Sequence, residues 1–256
     1  VSGGGYYDPA VPASYPNTAA GISSVVSGGS GNMASSDWSV VSGGSGNTAS
    51  EHAAVSGGLE NEATGAKSFI GGGETNQALS GYSAIAGGID GVISSGATNG
   101  FIGGGLNNQI IASSVCAAVA GGNLNIIDGS YSFIGGGASN NVAEESTHST
   151  ISGGDGNVVT DGSTHSTISG GDGNLIGIAG TVAPCKNSSI GGGEGNKIYP
   201  YTGDGGITYA AAEHGTVSGG TNNKVYGSRS TISGGKNNTI ESPDSTISGG
   251  LENNID

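Results

Sequence analysis

The 256-residue chain carries 55 glycines and a net charge of −14, with 33% hydrophobic residues and only three Phe, one Trp and one Met. So few large apolar side chains exclude an ordinary globular core of this length. Six Lys plus Arg against twenty Asp plus Glu make nucleic acid and anionic membranes poor partners, and no apolar run is long enough to insert into a bilayer.

Low hydrophobicity and high net charge would suit disorder, yet β-branched residues recur at regular places, which argues for an ordered repeat. The start at Val1 rather than Met marks a processed chain or a piece of a longer one. Cys116 and Cys185 are too few for a disulfide framework. They could pair only if the insertion at 177–187 folds back along the repeat.

Residues 1–23 are irregular, with room for one degenerate coil, and carry Tyr6, Tyr7 and Tyr15. From Ser24 onward, alignment on the Gly-Gly pairs gives fourteen units of the form S-x-φ-x-G-x-x-x-N-x-φ, where φ is apolar. Calling the first φ position 0, these residues run from Val26, Val41 and Val55 through Ile70 and Ile102 to Ile232 and Ile247. Position +8 is a second apolar residue, Ala34 and Ala49 early, Ile93 and Ile110 later, and Ile255 at the end. Spacings are mostly 14 to 17 residues, with steps of 22 and 27 around Ile190.

Period-two alternation in S-x-φ-x-G predicts a strand, Gly-Gly permits a turn with positive φ, and N-x-φ predicts a second, shorter strand. The expected fold is therefore all-β: a parallel β-solenoid of about fourteen coils, occupying 24–256 as one domain, with corner loops at 177–187 and 199–213.

Thirteen of the fourteen units have Asn at position +6 (Gly91 is the exception). The column includes Asn32, Asn47, Asn108, Asn140, Asn157, Asn174, Asn196, Asn223, Asn238 and Asn253. Stacked Asn side chains can hydrogen-bond amide to amide from coil to coil, and Asn tolerates the left-handed backbone of a tight corner. A structural ladder is the expected role.

Positions −1 and +1 point away from the interior. All three phenylalanines, Phe69, Phe101 and Phe133, lie at −1 on alternate coils, each with Gly at +1. After Phe133 the pair becomes Thr150/Ser152, Thr167/Ser169 and so on to Thr246/Ser248, interrupted by Ser189/Gly191. Large beside small is a packing pattern, so the phenylalanine face is expected to be covered, with another subunit the natural cover. Two or three small apolar side chains per coil also leave a lone chain marginal against the entropy of ordering it.

The motifs "SFIGGGETNQALSGYSAIAGG" and "STISGGKNNTIESPDSTISGG" resemble the head repeats of trimeric autotransporter adhesins of the YadA type. They are also similar to repeat arrays of phage tail fibres and other virion surface proteins. The resemblance extends from Ser24 to Ile255 and rests on Ser68, Ile70, Gly72 and their equivalents. It implies left-handed parallel β-rolls, three chains packed as a homotrimeric rod, and a binding surface displayed outside a cell or on a virion. The second Gly, the Asn column, the long loops and the lack of a coiled-coil stalk or membrane anchor depart from that family.

No nucleophile–base–acid set is present, so neither catalysis nor a cofactor is expected. "STHSTISGGDGN" occurs twice, at 146–157 and 163–174. It places His148 and His165 on adjacent coils, where two ligands make an incomplete metal site. His52 and His214 share that column (−3) with Trp38, Lys67 and Tyr82, a variety that suits an exposed corner. "GGDGNVV" resembles a calcium-binding solenoid repeat but has Asn157 where that repeat has a carboxylate.

The irregular loops hold the candidate ligand contacts: Tyr6 and Tyr7 near the start, and Tyr199, Tyr201 and Tyr209 in the late insertion. These aromatics suit a cell-surface glycan or receptor. The reading is thus a structural or adhesive fibre; an ice-binding or calcium-stabilised solenoid is the alternative.

Overall fold

The computed structural model describes residues 15–178, 184–202, 208–210 and 212–256. They form an all-β chain that divides at Gly122/Asn123 into two compact units. Each unit is a parallel β-solenoid.

In the first unit, two-residue strands alternate between two sheets. One runs from Val25–Val26 through Phe69–Ile70 to Ala118–Val119, and the other from Thr18–Ala19 through Gln77–Ala78 to Gln109–Ile110. Pairing is parallel and strictly in register: Ile70 against Ile85, and Ile85 against Ile102. The second unit repeats the scheme from Ile126–Ile127 and Phe133–Ile134 to Thr246–Ile247 and Asn254–Ile255. A third line of pairing per coil lies at position +4, with bridges such as Leu59 to Glu74 in the first unit and Asp155 to Asp172 in the second. Parallel pairing begins before Ser24, because Thr18–Ala19 pairs with Met33–Ala34 and the Asn32 N–H donates to Asn17 Oδ1 at 3.0 Å.

The interior of each coil is the pair at 0 and +8, which are completely buried in Val41/Ala49, Ile85/Ile93, Ile151/Val159 and Ile190/Ile198. Since strand side chains alternate sides, a single register holds the branched apolar residues at 0 inside on every coil.

The Asn column is also interior: Asn47, Asn76, Asn157 and Asn223 have no exposed surface. Its bonding is richer than an amide stack. Asn47 Nδ2 donates to Asn32 Oδ1 (3.1 Å), to Gly43 O of its own coil (3.0 Å) and to Gly58 O of the next (2.9 Å), while its backbone N–H also reaches Asn32 Oδ1 (3.0 Å). Each asparagine therefore closes a corner and ties three coils.

The expectation that Asn supplies the left-handed corner is corrected. No ladder asparagine has positive φ; the residue before it does, as at Glu60 (53°), Thr75 (54°) and Leu124 (57°). A second left-handed residue sits at −3, including Trp38 (59°), Lys67 (58°) and His148 (60°). These peptides are reversed: the N–H of Glu60 bonds back to Ser45 O (2.8 Å), whereas that of its neighbour Leu59 bonds forward to Gly73 O (2.9 Å). The hydrogen bond so gained offsets the roughly 1–2 kcal/mol that an L-residue loses in this conformation.

At Gly91 the ladder lacks a side chain, but the backbone N–H still donates to Asn76 Oδ1 at 2.9 Å, and φ there is not positive. Gly91→Asn is expected to restore the missing rung and to raise stability by about 1 kcal/mol, once Asn76 Oδ1 yields to a new Cβ 2.8 Å away. A shift of the denaturant midpoint at unchanged slope would register it.

Candidate functional site

Functional surface here means what the coils turn outward. In the first unit, position −1 forms one row across consecutive strands, with the register Ala54, Phe69, Ala84, Phe101, Ala118. Phe69 and Phe101 are 42% and 43% exposed. A second exposed apolar line, Leu59, Ile89 and Leu106, follows position +4 with Glu74 among them. Sequence reading missed this line, although inspection of position +4 alone shows it. In the second unit Phe133 is exposed and pairs with Thr150, and hydroxyl residues continue the row: Thr150, Thr167, Ser189, Thr216, Thr231, Thr246.

The glycines beside the phenylalanines have an intrachain reason. A Cβ on Gly71 would lie 2.4 Å from Ala86 O of the next coil, and one on Gly103 would lie 2.2 Å from Ala120 O. Close coil-to-coil approach accounts for them without an outside surface.

In the second unit serine at −2 forms a second polar ladder that sequence reading did not identify. The N–H of Ser149 donates to Ser132 Oγ (3.1 Å), that of Ser166 to Ser149 Oγ (3.2 Å), and that of Gly215 to Ser188 Oγ (3.2 Å). In the first unit the buried serines Ser39 and Ser83 instead donate within their own coils, to Ser36 O and Ser80 O at 2.6 Å.

The −3 column is an exposed ridge. His148 stacks on Tyr131 (5.0 Å between ring centres) and on His165 (4.9 Å, 5° between planes), and Lys67 Nζ lies 5.0 Å from the Tyr82 ring centre. Among the described residues no three His, Cys, Asp or Glu side chains converge on a common point.

The tyrosines of the loops separate. Tyr6 and Tyr7 lie outside the described residues. Tyr199 is half-buried; its hydroxyl meets that of Tyr226 at 2.7 Å, with the rings edge-on at 4.5 Å. Burial first, then the Tyr226 hydrogen bond, pushes its phenol up. Tyr201 and Tyr209 lie on a short antiparallel ladder, Tyr201–Thr202 with Thr208–Ala210, in which Tyr201 opposes Ala210.

Both cysteines are free thiols, Cys116 exposed and Cys185 buried. Desolvation pushes the Cys185 thiol up to about 12, so it behaves as a small apolar filler. In the same unit Asp128 is held above the usual carboxylate range, by burial first and then by Glu144 and Asp161.

These features define a repeat protein of the β-solenoid class. No protein-family model matches the chain, and no curated protein matches it.

Proposed function

We propose that this chain is a structural, adhesive element of an extracellular, cell-surface or virion fibre, assembled as a homo-oligomer with the trimer favoured. What carries the reading is the row of exposed apolar residues around Phe69 and Phe101 on a chain with so little apolar residue to spare. Large rings left in water on a parallel sheet are an interface signature, and a parallel sheet is ordinarily covered on both faces. The loops with Tyr201 and Tyr209 are then the parts offered to a glycan or receptor.

The test is a mass in solution. Light scattering should give a multiple of the 24.4 kDa chain, and Phe69→Ser with Phe101→Ser should lower it while the β-sheet circular dichroism persists. A strict monomer at micromolar and higher concentrations would sink the reading.

The hydroxyl row of the second unit supports a second reading, ice binding. Its six Thr or Ser side chains stand on successive coils in one register, at the roughly 4.8 Å spacing of paired strands. Thermal hysteresis lost on Thr167→Lys and Thr231→Lys would favour it over the fibre.

A further inference from the structure

The chain has six basic residues in all, and three of them, Lys197, Lys224 and Lys236, fall on three consecutive coils of the second unit. Lys197 and Lys224 are register partners on adjacent parallel strands. Like charges directly opposite on a sheet face are unfavourable, and an acidic chain had carboxylates to place there instead. Neither lysine is relieved: among the described residues none of the three makes an ion pair or a side-chain hydrogen bond. The +4 line changes sign over the same coils, reading Asp172, Glu194, Thr221, Lys236.

A depression of about 350 Å³ lies at this point, lined by Gly195, Lys197, Asn222, Lys224, Asn237 and Thr239. Gly195 keeps it open, since a Cβ there would lie 2.4 Å from Asn222 Oδ1. Both lysines at its wall are half-buried, so their charges are screened less than those of freely extended side chains. Two ammonium groups, two carboxamides and a hydroxyl make a donor-rich surface.

We propose that this depression is a binding site for an oxyanion, a sulfate or phosphate ester group, carried on a polysaccharide. Lys197 and Lys224 supply the charge, and Asn222, Asn237 and Thr239 supply neutral partners for ester oxygens and sugar hydroxyls. Among the described residues no aromatic side chain lines it, so it lacks the stacking surface on which single-stranded nucleic acids depend. The proposal goes beyond the fibre reading and needs neither the phenylalanine row nor the tyrosine loops.

Calorimetry on the full chain at fixed ionic strength tests it, with a size-defined sulfated oligosaccharide, its desulfated counterpart and a single-stranded oligonucleotide as titrants. The sulfated sugar should bind and the desulfated one should not. K197Q/K224Q should weaken binding about tenfold or more while melting at the same or a higher temperature, because a repulsive pair is removed. K67Q, in the first unit, should leave binding unchanged.

Competition by inorganic sulfate but not inorganic phosphate assigns the group to a sulfate ester, the reverse assigns it to a phosphate ester, and either supports the site. Equal weakening in K67Q, tighter binding of the oligonucleotide, no binding of the sulfated sugar, or a lowered melting temperature in K197Q/K224Q would overturn it.

Discussion

Gly154→Ala is expected to be among the most damaging small substitutions in the second unit, with a loss of about 4 kcal/mol or more. Gly154 has φ of +93°, and an added Cβ would lie 2.2 Å from Gly171 O of the next coil and 2.7 Å from Asn157 Nδ2. Neither neighbour is free to yield. Gly171 O accepts from both Asp155 N–H (2.9 Å) and Asn157 Nδ2 (3.0 Å), so a shift breaks the corner it was meant to spare. The first glycine of the pair differs at Gly219. At Gly219 a Cβ meets nothing within 4 Å and φ lies outside the strained region, so Gly219→Ala should change stability by no more than about 0.5 kcal/mol. Equilibrium denaturant unfolding of the two variants side by side decides the matter; equal effects would refute this account of the Gly-Gly pair.

Asn157→Ala is expected to cost about 3–5 kcal/mol, from losses on three coils. The Asn174 N–H, buried and 3.1 Å from Asn157 Oδ1, is left without its acceptor. Gly153 O and Gly171 O each lose a donor at 3.0 Å, and Asn140 Oδ1 loses one of two. Asn254→Ala, on a strand at the outer end of the unit and outside the ladder, should stay within about 1 kcal/mol. Hydrogen exchange should show the Asn157→Ala loss as lowered protection at Asn174 and its neighbours. A loss confined to the coil of Asn157 would mean that the asparagines close corners without tying coils together.

Much of this fold is legible in the amino-acid sequence. The columns of Ile151 and Asn157 can be placed inside because the period is regular and the strand has only two sides. The left-handed residues are not legible: Trp38, Lys67 and Glu60 share no chemistry, and their φ is set by a reversed peptide bonding backward. Tyr199 reads as a loop contact because it opens a non-repeating stretch. Yet it and Tyr226 occupy the same position on neighbouring coils, two residues past the paired Lys197 and Lys224. Extending the alignment beyond position +8 would have found the pair. The Ser ladder escapes for another reason: hydroxyl-to-amide bonds between coils have no signature beyond the recurrence of Ser itself.

The reversed corner peptides have a consequence for how the surface can vary. Their N–H and C=O bonds belong to the backbone, so a side chain at −3 or +5 contributes almost nothing to whether its coil closes. Tryptophan, histidine, lysine, cysteine and aspartate all occupy −3 with φ near +60°. Those corners are free to drift in sequence while Asn, Gly-Gly and the two apolar columns hold still. Side-chain diversity can therefore accumulate at the corners of each unit with almost no cost in foldedness.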